Sequence, residues 1–224
     1  MTPYFTDSTG RITIYHGDCR EILASVQADV VVTDPPYGIN YNGEDAPQAK
    51  HVHSDGRQTA RVYGDHEPFD PRPLIGWPFI LWGANCYASR LPDLPVWLCW
   101  DKVTRNGLNL RIAECEFAAT NCVGRSRVFR HLWSGGYRAS ESGHFLHPTQ
   151  KPIALMRWCL TLPGVPDGTV LDPFMGSGST LRAAKDLGRK AIGIEIEERY
   201  CDVAAKRLGQ EVLFGAPTIQ DEAN

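Results

Sequence analysis

A chain of 224 residues, 42% of them hydrophobic, is long enough for one domain with a sizeable core. A net charge of −3 excludes binding of nucleic acid by bulk positive charge, and the longest apolar region, 79–100, is interrupted by Asn85, Arg90, Pro92, Asp93 and Pro95, which excludes a membrane span there. Seven cysteines without a CxxC pair point away from structural zinc and a disulfide scaffold, and toward a reduced cytoplasmic protein with no bound metal; no signal peptide is expected from the amino terminus.

The first predicted strand is 11–15 (RITIY). Gly17-Asp18-Cys19 follows, and an amphipathic helix is expected over about 20–26 with Asp18 as its cap. The apolar run 28–33 (ADVVVT) reads as a short buried strand. It leads into Asp34-Pro35-Pro36-Tyr37, the stretch around which the chain is organised. Proline fixes φ, removes a backbone N–H and pushes the residue before it out of the helical region. The result is a rigid lip at the carboxyl end of a strand, where open α/β sheets bind ligands. An ionised Asp34 accepts hydrogen bonds only, so Asp34 and the Pro35 carbonyl suit the two protons of an exocyclic amine, and Tyr37 offers a face to a planar base. A Pro-rich turn with a surface tyrosine is the plainer alternative.

Residues 38–71 are rich in Gly, Pro, His, Asp and Gln and show no period, which predicts a mobile loop beside the lip, either a cover or an insertion without a role. His51 and His53 lack the partners of a metal site. A short helix over 71–77 and buried strands over 78–82, 96–100 and 114–121 are expected next, with Trp77, Trp82, Trp97 and Trp100 in the core or a pocket wall. Between 121 and 151, Arg125, Arg127, Arg130, Arg138 and Lys151 stand against one acid, Glu141. Arginines alternate there with Phe129, Trp133 and Tyr137 around a Ser134-Gly135-Gly136 turn, so 124–146 is the candidate target-recognition segment, beside the alternative of a solvated basic surface.

A helix is predicted over 152–162, with Pro152 at the tolerated first turn. The strand 169–171 then runs into Asp172-Pro173-Phe174-Met175-Gly176-Ser177-Gly178-Ser179-Thr180, followed by a helix over 181–187, a strand over 190–196 that carries Glu195, and a helix over 198–208 with a frayed tail from 211. A strand, a Gly-rich turn and a helix start form a nest that approaches a ligand closely, and an acid after the next strand suits ribose hydroxyls. Neither GxxxxGK[ST] nor GxGxxG is present, so the expected ligand is a nucleoside without a pyrophosphate. Strands alternating with helices predict a doubly wound, mostly parallel sheet.

The lip near the amino end and the Gly-rich turn near the carboxyl end together resemble the permuted β class of S-adenosylmethionine-dependent DNA amino-methyltransferases. The spelling of the lip is similar to N6-adenine members, because N4-cytosine members more often carry Ser at the position of Asp34. The likeness extends to Gly17-Asp18-Cys19, Trp82-Gly83-Ala84-Asn85, 97–102 (WLCWDK) and 147–152 (HPTQKP), and it is weak over about 42–71 and 124–144. It implies one domain over 1–224, a seven-stranded Rossmann-like sheet with one reversed strand and circularly permuted motif order. It also implies S-adenosylmethionine as cofactor, double-stranded DNA as partner and methyl transfer to N6 of a flipped-out adenine. Relatives often form homodimers, and restriction would need a companion nuclease outside this chain.

By the same resemblance, Asp34, Pro35, Pro36 and Tyr37 are catalytic. Asp18 and Cys19 flank the cofactor's adenine, Glu195 holds its ribose, Phe174 packs on it, and Met175, Gly176, Ser177 and Gly178 form the turn that admits its methionine part. Thr149 and Lys151 hold the methionine carboxylate, Asp172 orients the turn, and Asp34 lies beside the reacting end. Arg125, Arg127, Arg130 and Arg138 contact DNA. Plainer roles stay open: a helix cap for Asp18 or Thr149, a surface charge for Lys151, a structural carboxyl for Asp172. Cytosine-N4 methylation, an RNA or protein amine as substrate, and a non-catalytic DNA-binding protein with the same fold are the rival functions.

Overall fold

The computed structural model describes residues 1–41, 62–102, 113–134, 137–141 and 146–209. Eleven strands are described: β1 Phe5–Thr6, β2 Ile12–His16, β3 Val30–Thr33, β4 Phe79–Trp82, β5 Trp97–Asp101, β6 Cys115–Thr120, β7 Arg127–Arg130, β8 Trp133–Ser134, β9 Tyr137–Arg138, β10 Val170–Asp172 and β11 Ala191–Glu195. The α-helices are α1 Cys19–Ile22, α2 Ile153–Thr161, α3 Ser179–Asp186 and α4 Glu198–Gly209. None of the described helices is long and apolar enough to cross a membrane.

Nine strands form one mixed sheet in the order β1-β2-β11-β10-β3-β4-β6-β5-β7, and β8 pairs with β9 as a separate ribbon. The five strands β2, β11, β10, β3 and β4 run parallel, and β6 is antiparallel to both its neighbours, β4 and β5. The expected seven strands are thus widened to nine by an edge strand on each side. Two-residue β1 pairs antiparallel with β2, and β7 pairs parallel with β5. Both additions are short and carry polar residues, so neither announces itself by an apolar run.

The alternation of each central strand divides the interior into two cores. Val30, Val32, Ile80, Trp82, Leu98 and Trp100 face the layer made by α2, α3 and α4. Val31, Phe79, Leu81 and Ala119 face the opposite layer, where Ile22, Leu74 and Tyr87 cover them. All four residues of β3 and all four of β4 are buried, as strands covered on both faces must be. Each Val, Leu, Ile or Phe side chain so placed contributes roughly 1.5–3 kcal/mol relative to exposure.

The second layer is thinner than the sequence suggests. The helix expected over 71–77 is a run of hydrogen-bonded turns, with Leu74 N–H donating to the Pro71 carbonyl and Trp77 N–H to that of Leu74. Pro71, Pro73, Gly76 and Pro78 withhold donors and stiffness from any longer helix there. The helix expected over 20–26 stops at Ile22 and tightens into a 3-10 turn, Leu23–Ser25, before extended Val26. The centre of the loop, 42–61, and the tail from 210 lie outside the described residues. Both described ends of the loop are tied to buried Asp65, whose carboxylate accepts from the N–H groups of Gly38 (2.8 Å) and Tyr41 (2.6 Å).

β3 and β10 are neighbours, so the lip after Thr33 and the Gly-rich turn after Asp172 leave the sheet side by side. The Thr33 hydroxyl donates to Asp172 Oδ1 at 2.6 Å, and the Phe174 N–H donates to the same oxygen at 3.2 Å. Burial pushes the Asp172 carboxyl up to about 6 from an ordinary 3.8. A carboxyl raised on folding stabilises the native state below its unfolded pKa, and that stabilisation is lost as pH rises through the folded value. Between pH 4 and 6 this group therefore costs on the order of 3 kcal/mol of stability. Urea unfolding of Asp172→Asn across that window should lack this share of the wild-type decline; an identical slope in both proteins would show that Asp172 does not titrate there.

Candidate active site

A single cleft of about 1150 Å³ opens along the carboxyl ends of β2, β11, β10 and β3. Asp34, Pro35, Pro36 and Tyr37 line one part of it. Asp18, Cys19, Phe174, Gly176 and Glu195 line another, and Thr149 and Lys151 lie in the segment between. These positions span most of the sequence; parallel pairing of β3 with β10 brings them to one edge.

At the lip, Asp34 is met on both oxygens. The Tyr37 hydroxyl donates to Oδ1 and the Lys151 ammonium to Oδ2, each at 2.5 Å. Lys151 Nζ also contacts the Tyr37 hydroxyl at 3.0 Å and Glu116 Oε2 at 3.1 Å. Glu116 then accepts from Lys102 Nζ on its other oxygen at 2.7 Å. Charge alternates along Lys102, Glu116, Lys151 and Asp34, so every charge in this largely buried row has an opposite neighbour. Burial raises the Asp34 carboxyl above its ordinary value, opposed by Lys151. Burial also works against Glu116, but Lys151 and Lys102 outweigh it and hold that carboxyl down to about 2. Tyr37 is pushed well up, first by burial and then by Asp34, so its phenol keeps its proton.

Tyr37 owes its place to Gly83, which follows β4 with φ 69°. A Cβ on Gly83 would overlap the Tyr37 ring, so the backbone there is the floor on which the ring rests. The Lys151 ammonium stands 5.4 Å from the centre of the same ring.

On the Gly-rich side, the Glu195 carboxylate accepts from Gly176 N–H (2.9 Å) and Glu197 N–H (2.8 Å). It ties the turn after β10 to the turn after β11, and each oxygen keeps one lone pair for a ligand hydroxyl. Phe174 meets Phe69 edge-on at 5.6 Å, so the end of the long loop walls the cleft here. His147 packs on Tyr200 at 4.3 Å between ring centres and beside Gly176; burial pushes it down to about 4, so it is neutral at neutral pH. Gly178, with φ 78°, lies close to Ala204 of α4, whose Cβ a side chain would meet at 3.0 Å.

Several expected residues take other positions. Asp172, Met175 and Ser177 are buried and, with Gly178, are not on the cleft wall, which Gly176 of the same turn reaches. Asp18 caps α1 through the Arg20 N–H at 2.9 Å and pairs with the Arg20 guanidinium, while still facing the cleft. Lys151 is no surface charge: its three N–H directions are taken by Asp34, Tyr37 and Glu116. The Thr149 hydroxyl lies 3.2 Å from His147 Nδ1 and does not cap α2. That helix is capped from a distance by Glu141, which accepts from Ile153 N–H (2.7 Å), Gln150 Nε2 (2.9 Å) and Arg207 (2.6 Å). Arg125, Arg127, Arg130 and Arg138 do not line the cleft. Arg130 lies 3.6 Å from Asp101, and Arg138 stacks over Trp133, whose ring reaches the cleft wall. Among the described residues, no group of three His, Cys, Asp or Glu could hold a metal ion.

Glu116, Lys102, Asp65 and Glu141 were not singled out as site residues by sequence. The signal for Glu116 in the sequence is a carboxylate one residue into a strand whose other residues are Cys115, Phe117, Ala118, Ala119 and Thr120.

Residues 98–206 match the DNA methylase family N6_N4_Mtase. The chain is 41% identical to the Type II methyltransferase M.ScaI of Streptomyces caespitosus over 93% of this chain and 84% of that protein. It is 42% identical to the Type II methyltransferase M.HinfI of Haemophilus influenzae over 58% of this chain, a match that spans only 32% of M.HinfI. The crystal structure of the M1.HpyAVI–SAM complex is similar with a TM-score of 0.50 and 25% identity, over 88% of this chain and 99% of that one.

Gly83→Ala should lower stability by about 1–2 kcal/mol from the left-handed backbone alone, and more as Tyr37 is displaced; denaturant unfolding and near-ultraviolet circular dichroism of the tyrosine check this. Glu141→Ala removes the charged partner of Arg207 and the acceptor of the first turn of α2, and should cost about 3 kcal/mol. An unchanged unfolding midpoint would show that the Arg207 pair contributes nothing.

Proposed function

The chain belongs to the N6_N4_Mtase family of DNA methylases, and on that premise we propose that it transfers the methyl group of S-adenosylmethionine to N6 of adenine in double-stranded DNA. The observation that carries this reading is the position of Asp34, a carboxylate at the mouth of a strand, in one cleft with a Gly-rich turn and Glu195. The Type II relatives support a role in restriction–modification.

The cleft suits the cofactor. Its volume exceeds the usual range for a single small ligand, which leaves room for a nucleoside and a flipped base together. Phe174 offers a ring, Glu195 spare lone pairs for ribose hydroxyls, and Gly176 a backbone without side-chain bulk. Asp18 and Cys19 would flank the adenine of the cofactor. Thr149 and Lys151 are the groups proposed for its carboxylate, and Lys151 would serve it only by giving up one of its three present contacts. When bound, S-adenosylmethionine supplies an electrophilic methyl group on a sulfonium.

The chain's own residues perform the rest. The target amine is buried in duplex DNA, so the base leaves the stack before reaction. Tyr37 stacks on it, while Asp34 and the Pro35 carbonyl accept the two amine protons. Those bonds draw the nitrogen lone pair out of conjugation and aim it, so positioning and electrostatics supply the catalysis and no covalent intermediate is needed. The segment 124–146, with Arg125, Arg127, Arg130 and Arg138, is the proposed DNA-reading element, and the loop 38–71 a cover. The family name spans both N6 and N4 chemistry, and the same lip serves an N4 amine of cytosine, which is the second reading.

Incubation with labelled S-adenosylmethionine and unmodified duplex DNA, then digestion to nucleosides, should give N6-methyladenosine. N4-methylcytosine would move the target base, cofactor binding without label in DNA would point to another substrate or a missing partner, and DNA binding without cofactor affinity would favour a non-catalytic protein. Asp34→Ala should lower turnover by at least about a hundredfold. Cofactor affinity by calorimetry should change little; retained turnover would remove Asp34 from the mechanism.

A further inference from the structure

Glu116 takes no part in the reaction just described, yet it is built into the site. It stands on β6, opposite Trp100 of β5, and its carboxylate bridges Lys102 and Lys151. Oε2 also lies 3.3 Å from the Tyr37 hydroxyl, the same hydroxyl that donates its one proton to Asp34. The arrangement raises a physical problem. Asp34 must offer lone pairs to an amine, and each of its oxygens already accepts one hydrogen bond, one from a phenol and one from an ammonium, which leaves one free lone pair apiece. A carboxylate held that closely by a full positive charge is a poor acceptor.

Glu116 answers both parts of the problem. It contacts the same Lys151 ammonium as Asp34, at 3.1 Å, so the ammonium's charge is shared between two carboxylates. It also offers the Tyr37 hydroxyl a second acceptor, so the phenol proton can turn from Asp34 Oδ1 to Glu116 Oε2 when an amine arrives. No covalent bond changes in this exchange, and each hydrogen stays on its own heavy atom. Resting on the methyltransfer reading of this site, we propose that Glu116 is a positioning residue that keeps Asp34 available to the target amine, by sharing the Lys151 charge and by receiving the Tyr37 hydroxyl.

Among the described residues, the groups that act on Asp34 are Lys151 and Tyr37 in contact, Glu116 beyond Lys151, Tyr87 from the turns after β4, and Asp172 from β10. Glu116 itself faces Lys102 and Cys86, and Lys151 faces His147. Of these, Glu116 is the negative neighbour that raises Asp34 most, after burial. Replacing it by a neutral amide of the same shape must therefore make Asp34 more acidic.

The test is a titration of the protein alone, carrying 13C-labelled aspartate carboxyls, with the Asp34 resonance identified by its absence in Asp34→Asn. In Glu116→Gln the Asp34 midpoint should fall by about one pH unit. If that variant does not fold, the double variant Lys102→Met with Glu116→Gln removes an opposite pair of charges, and a fall in the same direction but smaller is expected, because loss of the more distant Lys102 cation offsets part of it. In methyl transfer, Glu116→Gln should lower kcat between about twofold and tenfold, the range a one-unit change in acceptor strength allows, with KM for DNA nearly unchanged. An unmoved Asp34 midpoint, or a moved midpoint with unchanged kcat, would overturn the proposal. Absence of methyl transfer by the wild-type protein would overturn the functional reading instead, because the titration needs neither DNA nor cofactor.

Discussion

The ion pair between Asp34 and Lys151 is the contact on which the site depends. A carboxylate taken from water with no partner would simply stay protonated, and a protonated Asp34 would be a weaker acceptor for an amine. Lys151 opposes that tendency at 2.5 Å, and Glu116 and Lys102 continue the alternation outward so that no charge is left alone. Such a row costs desolvation at every member and gives the fold little net stability. Its value is geometric: four charged groups with satisfied neighbours have one arrangement, and that arrangement fixes the Tyr37 hydroxyl as well.

The sheet makes this row possible by bringing distant segments to one edge. Asp34 arrives on β3, Glu116 on reversed β6, Lys102 just past β5, and Lys151 on the segment before α2. The antiparallel pairing of β5 with β6 sets Trp100 opposite Glu116, and Lys102 N–H donates to the Glu114 carbonyl at 2.9 Å just beyond. A shift of one residue in that register would turn Glu116 to the other face of the sheet, taking its carboxylate from Lys102 and leaving Lys151 with Asp34 alone. On the Gly-rich side the same economy appears in Glu195, one carboxylate that fastens two turns.

A second hub joins the proposed reading element to the rest. Glu141, at φ 54°, follows the β8–β9 ribbon and holds the start of α2, Gln150 and Arg207. Arg207 in turn donates to the Ser177 carbonyl and the Ser179 hydroxyl of the Gly-rich turn. The ribbon, the segment bearing Lys151 and the Gly-rich turn are therefore fastened to one another through a carboxylate and a guanidinium. Arginine's fixed fork suits that task better than a single ammonium would.

The sequence by itself determined whatever depends on neighbours along the chain. Short apolar runs marked β2, β3, β4, β5 and β6, the prolines after Asp34 marked the lip, and Gly176 and Gly178 marked the turn before α3, because φ limits and runs of apolar residues are local properties. Local reading erred where weak signals compete: Pro71, Pro73 and Gly76 defeated a helix, and two-residue β1 and polar β7 carried too few apolar residues to be seen. The partnership of Glu116 with Lys151, the capping of α2 by Glu141 and the engagement of Lys151 by Asp34 were decided by the tertiary structure. Each joins residues far apart in the chain, and an isolated charge in a sequence looks the same whether it meets water or an opposite charge. Only strand order and register choose between those fates.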